Sequence, residues 1–199
     1  MSFFVFQNKE TVEDHVKNPW TVVAATNIYD NPWINLTEFQ VINPAGKEGI
    51  YGKVSFKNKA VGIVALDETQ HTYLVGQYRF TMDTWSWEIP EGGSPLGVDT
   101  LESAQRELKE ETGLTAKSWK LIQRSHLSNS VSDEEGLVFL AEGLTQGSSN
   151  HEDTEKGMKV MKLPFHEAHQ MVIDGTITDS LSIIGILRVA GMLDNNKPN

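Results

Sequence analysis

The chain has 199 residues, no cysteine, and 17 Lys and Arg against 27 Asp and Glu, a formal net charge of −10. That length suits one domain with an added unit, and the missing cysteine excludes disulfides, thiolate metal sites and cysteine nucleophiles while fitting a reducing compartment. The acidic balance suits neither the phosphate lattice of a nucleic acid nor an anionic membrane surface.

The apolar run Phe3–Phe6 is too short for a signal-peptide core, and no stretch approaches the roughly 20 apolar residues of a membrane span, so a soluble, cytoplasmic protein is expected. A short helix is predicted around Val12–Lys17. From Trp20 the β-branched pattern predicts strands at Thr21–Val23, Trp33–Leu36 and Glu38–Ile42. The turn residues Asn43-Pro44-Ala45-Gly46 follow, with a return strand at Ile50–Phe56. Residues 1–56 are therefore expected to form a small antiparallel β unit, and residues 57–199 the main domain.

Val61–Leu66 is almost continuously apolar, as in a strand buried on both faces. Further strands are expected at His71–Arg79 and Thr84–Ile89, the latter ended by Pro90 and the pair Gly92-Gly93. Leu101, Ala104 and Leu108 recur at helical spacing between an N-cap at Asp99 or Thr100 and a stop at Gly113. Strands then fit Trp119–Gln123, Leu137–Ala141 and Met158–Leu163, with a polar loop over Thr145–Lys156. Helices follow at Phe165–Ile173 and Leu181–Met192, and Asn195–Asn199 reads as a frayed tail. Strands with one central helix and further helices at the end predict an α/β fold, a mixed sheet covered on both faces.

The chemistry concentrates in Arg106-Glu107-Leu108-Lys109-Glu110-Glu111-Thr112-Gly113-Leu114. Glu107, Glu110 and Glu111 stand at i, i+3 and i+4, within about 100° of one helix face. A solvated acidic stripe is the ordinary reading of such a run. These acids, however, lie at the C-terminal end of their helix, where the macrodipole disfavours negative charge. A divalent cation relieves both penalties, and a hard ion such as Mg²⁺ wants carboxylate oxygens and co-binds phosphates.

The stretch Gly92–Leu114 resembles the Nudix box, G-x5-E-x7-R-E-U-x-E-E-x-G-U with U a bulky aliphatic residue. Gly92, Arg106, Glu107, Leu108, Glu110, Glu111, Gly113 and Leu114 match in spacing, and Val98 stands where the box has its first glutamate. Gln77-Tyr78-Arg79 with Glu88-Ile89-Pro90-Glu91-Gly92 is similar to the ADP-ribose pyrophosphatase branch, with Glu91 at the usual alanine. Ser132-Asp133-Glu134, Leu137–Leu144 and Glu167–Asp179 extend the likeness, which covers about residues 60–192.

The resemblance implies an α/β/α sandwich and Mg²⁺-dependent hydrolysis, with Mn²⁺ as an alternative ion. It implies Glu107 and Glu111 as principal metal ligands, Glu110 as the third, and the backbone carbonyl of Glu91 completing the set. Arg106 orients Glu110 on this reading. Arg79 meets the diphosphate, or else serves as a scaffold partner of Glu88. Glu134 supports metal or substrate. A general base is sought in the loop Glu152-Asp153-Thr154-Glu155, Glu155 first. Trp33 is a shelf for the base, or else a core or interface residue.

The resemblance also implies a homodimer through the N-terminal unit, with Trp33 near the partner's site. The tyrosine that marks dinucleoside polyphosphate substrates has no counterpart, since all four tyrosines lie upstream of the box. Ser128-Asn129-Ser130 stands where the ADP-ribose class has its proline. A nucleoside diphosphate sugar is therefore expected, with ADP-ribose one candidate among GDP- and UDP-sugars. The competing class is a non-catalytic nucleotide-sugar sensor on the same fold.

Overall fold

The computed structural model describes residues 17–148 and 157–195. The helix expected around Val12–Lys17 falls, apart from Lys17, outside them. So do Glu152, Asp153 and Glu155 and the last four residues.

Strands β1 (Thr21–Asp30), β2 (Ile34–Ile42) and β3 (Glu48–Phe56) form an antiparallel sheet in that order. Its turns follow from side chains that replace missing backbone partners. Asn31 Oδ1 accepts from the N–H groups of Trp33 (2.8 Å) and Ile34 (2.7 Å). Asn43 Oδ1 accepts from those of Ala45 (2.9 Å) and Lys47 (3.0 Å).

The main sheet contains β4 (Asn58–Leu66), β5 (His71–Arg79), β9 (Ser118–His126), β10 (Glu135–Glu142) and β12 (Lys159–Pro164), in the order β12-β5-β4-β10-β9. The β10–β4 pair is parallel and the others antiparallel, so the sheet is mixed. Asp67 closes the β4–β5 turn, its Oδ1 accepting from the N–H groups of Thr69 and His71 (both 2.9 Å).

Past Leu66↔Thr72 the strands β4 and β5 part. Two short strands fill the opening: β6 (Thr84–Glu88) on β5, and β7 (Glu91–Pro95) on β4. The turn between them is held where the N–H of Ile63 donates to the carbonyl of Pro90 (2.8 Å). The sequence predicts only a strand stop at Pro90 to Gly93. Tertiary pairing overrides the low strand preference of glycine, because an open β4 edge lies alongside.

Helix α1 (Thr100–Thr112) covers one face of the sheet, and α2 (Phe165–Ile173) with α3 (Ser180–Asn195) the other. Alternation along the two parallel strands separates the cores. Val61, Ile63, Ala65, Leu137, Phe139 and Ala141 pack with Ala104 and Leu108. Val64, Leu66, Val138 and Leu140 pack with Ala168, Leu181, Ile186 and Val189. Each fully buried aliphatic side chain contributes about 1.5–3 kcal/mol, so this double-sided strand pair anchors everything mounted on it.

Two departures from the sequence reading concern the start of the long polar loop and the end of the last helix. Thr145–Gln146 (β11) pairs with Leu114–Thr115 (β8) just beyond α1. The C-terminal helix also runs on to Asn195. No described helix is long and apolar enough to cross a membrane.

Candidate active site

Helix α1 begins at Asp99, whose Oδ1 accepts from the Leu101 N–H at 2.9 Å. It ends at Gly113, in the left-handed conformation at φ +75°, with its N–H on the carbonyl of Lys109. A residue without Cβ suits that φ and stops the helix directly after the acids. The turn before Asp99 carries Val98, 44% exposed.

The three acids are not equivalent. Glu107 and Glu111 are buried, 6% and 1% exposed, on the face toward β7, while Glu110 is partly exposed. Glu111 Oε2 accepts from the backbone N–H of Glu91 (3.1 Å). Glu107 fills the space over Gly92, where an added Cβ would lie 2.2 Å from its carboxyl carbon. The glycine is thus a steric requirement of the carboxylate's position.

Arg106 bridges these groups, its Nη1 on Glu110 and its Nη2 on Glu107 (both 2.5 Å) and on the carbonyl of Gly93 (3.1 Å). Burial lowers the Arg106 pKa, but Glu107 and Glu110 outweigh it and hold the guanidinium above its usual range. The expected Arg106–Glu110 pair is therefore present, with Glu107 as a further partner.

Across β7 lies the second wall. Arg79, at the end of β5, donates from Nε to both oxygens of Glu88 (2.8 and 3.1 Å). Its Nη2 reaches Glu88 Oε2 (2.5 Å) and Glu91 Oε1 (2.7 Å). Glu88 is 2% exposed, so a cation beside it is required on energetic grounds. Burial depresses the Arg79 pKa and the carboxylates Glu88, Glu91 and Asp179 more than restore it, for a net rise. Glu91 is driven well above the carboxylate range by burial, then by the negative charges of Asp179 and Glu88, against the pull of Arg79. Glu134 is raised by burial and by Asp179.

Arg79 and its acidic neighbours line one opening, whereas Arg106 and Glu110 border a different hollow with Thr115 and Trp119. A cleft of about 400 Å³ is bounded by Trp33, Asn58, Lys59, Arg79, Glu91 and Glu134. It shares Arg79, Glu91 and Glu134 with a hollow of about 330 Å³ that reaches Glu88 and Asp179. Trp33, 66% exposed, lines its own chain's cleft.

Asp179 escaped the sequence reading as a site residue. Its Oδ2 accepts from the Ser182 N–H (2.7 Å), and an acid at the head of a helix is ordinarily a cap. Only the packing of α3 against the sheet carries it to the cleft.

The donor chemistry fits a hard divalent cation. Buried carboxylates stand beside main-chain groups of β7, a glycine cradle receives Glu107, and Glu91 Oε2 is buried without a hydrogen-bond partner. Among the described residues no three Asp, Glu or His side chains are gathered tightly enough to coordinate an ion. Arg106 and Arg79 instead draw carboxylates into ion pairs.

The family model described as the NUDIX domain matches residues 56–178, and that described as the nucleoside diphosphate sugar hydrolase N-terminal domain matches residues 20–54. The chain is 36% identical over 136 residues to an ADP-ribose pyrophosphatase of Mycobacterium tuberculosis, covering 65% of this chain and 64% of that protein. It is 30% identical over 165 residues to an ADP-ribose pyrophosphatase of Bacillus subtilis, covering 82% and 89%. A CMP-5'-(N-acetyl-N-hydroxy-3-aminopropyl)phosphonate hydrolase of Streptomyces rubellomurinus is 27% identical over 165 residues, covering 83% and 79%. A solved structure described as an ADP compounds hydrolase superposes with a TM-score of 0.79 at 18% identity, over 88% of this chain and 95% of that one.

Proposed function

The chain belongs to the NUDIX domain family, and on that premise we propose that it cleaves the diphosphate of nucleoside diphosphate sugars, ADP-ribose or GDP- and UDP-sugars, to a nucleoside monophosphate and a sugar phosphate. One observation carries the reading: buried Glu107 and Glu111 lie against the β7 main chain, and β7 residues Glu91, Gly92 and Gly93 line a cleft with Arg79 and an exposed tryptophan. Relatives named as ADP-ribose pyrophosphatases support the diphosphate class. The relative named for a CMP-linked phosphonate leaves base and sugar open.

Glu107, Glu111, Glu110 and the backbone carbonyl of Glu91 would hold Mg²⁺ or Mn²⁺. A bound divalent ion supplies charge neutralisation of phosphate oxygens and a more acidic water. Arg106 ties Glu107 and Glu110 to each other and to the β7 carbonyl of Gly93. Arg79 presents a fixed positive charge, oriented by Glu88, to the diphosphate. Trp33 offers a face for the base, where stacking is worth about 1–3 kcal/mol. Glu134 supports the ligand from the opposite wall.

A general base must reach the attacking water, and we propose Glu155 ahead of Glu152 and Asp153. In support, β11 staples the start of that loop to the end of α1. The N–H of Gly147 donates to the carbonyl of Gly113 (2.8 Å), and Gln146 Nε2 to that of Thr112 (3.0 Å).

We further propose a cytoplasmic homodimer whose N-terminal unit, residues 1–56, forms the interface with the 57–199 hydrolase domain beside it. The test of function is incubation with Mg²⁺ and a panel of nucleotide sugars, reading released monophosphate. Turnover of one sugar class establishes the substrate; tight binding with no release across the panel favours the sensor.

A further inference from the structure

The guanidinium of Arg79 has five N–H donors and two edges that can grip an anion with two bonds. Glu88 occupies the Nε/Nη2 edge with both oxygens. The other edge, Nη1/Nη2, is the one left for a phosphate, and there Glu91 Oε1 accepts from Nη2 at 2.7 Å. A phosphate seeking a two-bond grip must therefore displace this chain's own carboxylate. The second oxygen, Glu91 Oε2, is buried out of a ligand's reach, and the residue lines a hollow with Glu134 and Asp179. Carboxyl groups crowd there, so a ligand that brings further negative charge and has no other anchor is opposed.

We propose that Glu91 is a specificity-determining residue. Its carboxylate holds the Nη1/Nη2 edge of Arg79 and so weakens the grip on bare polyphosphate chains, which have no other anchor, more than on a diphosphate whose base and sugar reach other walls of the cleft. This deepens the reading of the cleft as a nucleotide-sugar site and rests on it. The role belongs to the side chain, whereas the proposed metal contact of the same residue is its main-chain carbonyl. The resembling branch carries alanine here, so a fold without this carboxylate is sterically acceptable.

The test compares the wild type with Glu91→Ala and Glu91→Gln. Binding of inorganic pyrophosphate is measured by calorimetry without divalent cations, and KM for a nucleotide sugar is measured with Mg²⁺. Removing an ion pair that competes for Arg79 should tighten pyrophosphate binding by about 3- to 10-fold in Glu91→Ala, with Glu91→Gln between, since an amide oxygen still accepts from Arg79.

The nucleotide-sugar KM should fall by less, because base and sugar keep contacts in the cleft that do not run through Arg79. In Glu91→Ala combined with Arg79→Lys the gain should vanish, a coupling that mere loosening of the fold would not produce. Unchanged or weaker pyrophosphate binding in both single variants overturns the inference, as does a gain that survives Arg79→Lys. A wild type that binds pyrophosphate but hydrolyses no nucleotide sugar refutes the functional reading, and the calorimetric arm still decides the role of Glu91.

Discussion

At the scale of single residues, the hydrogen atom of Gly92 fixes where Glu107 can be. A methyl group there would sit within 2.2 Å of the carboxylate, so Gly92→Ala must expel Glu107 from its place beside β7. We expect hydrolysis to fall about 100-fold or more, as for an ångström-scale misplacement of a catalytic group, while the melting temperature shifts little. Wild-type kcat in that variant would show that the cradle is unimportant. Glu111→Gln keeps shape and removes charge, and should lower hydrolysis by roughly 10²–10⁴-fold with the fold intact. Both residues were legible because the box acids are local and their spacing puts them on one face. Asp179 and the double engagement of Arg79 were not. The Arg79–Glu88 pair stands among the sequence's alternatives, but Glu91 and Glu134 meet Arg79 and Asp179 only through the sheet, at separations that no periodicity encodes.

At the scale of elements, the loop between β9 and β10 brings Glu134 to the cleft, and β3 holds that loop. The N–H of Val54 donates to the carbonyl of Val131 (2.9 Å), and the N–H of Asp133 to that of Val54 (3.2 Å). Asp133 in turn accepts from the Phe56 N–H (3.0 Å) and pairs with Lys53 (2.7 Å). Asp133→Ala removes two of these ties. It should speed amide exchange over residues 128–134 while leaving the exchange of α1 unchanged, and it should lower kcat/KM by displacing Glu134. Burial raises the pKa of Asp133, but Lys53 and the Phe56 N–H bring it below the usual value; Asp67 shows the same balance, with burial outweighed by Lys162 and the His71 N–H. A carboxylate whose folded pKa is depressed stabilises above its unfolded pKa, near 3.9, and loses that contribution as pH falls through the folded value. The stabilisation from Asp67 and Asp133 should therefore persist from neutral pH down to about pH 5 and be lost progressively below about pH 4, which melting curves of the wild type against Asp133→Asn across that range would reveal. The strands β4, β5, β9 and β10 were legible from apolar runs and alternation. The strands β7 and β11 were not, since glycine-rich or two-residue segments become strands only when an open edge is placed beside them.

At the scale of the molecule, the N-terminal sheet is too exposed to stand alone. Every residue of β1 is exposed, and Val22, Val23, Ile28 and Tyr29 lie between 53% and 61% open, with Ile50 at 71% on β3. Among the described residues, the other edge of the sheet, β3, is met at Val54 by the 128–134 loop, and β1 has no strand on its outer side. An apolar strand with an open ladder is a template for pairing with another chain. A closed twofold pairing removes both edges at once and leaves no site for further growth. A homodimer through this sheet is accordingly expected at twice the chain mass of 22.2 kDa. Val23→Asp and Ile50→Asp change residues 61% and 71% exposed. A charge at either position costs the isolated chain little, but placed in an apolar interface it opposes association. Sedimentation should show the wild type as a dimer at micromolar concentration and the paired variant as a folded monomer with its α1 amides still protected. A wild type that sediments as a monomer at that concentration would remove the N-terminal sheet from the assembly and leave β1 to be covered by some other partner.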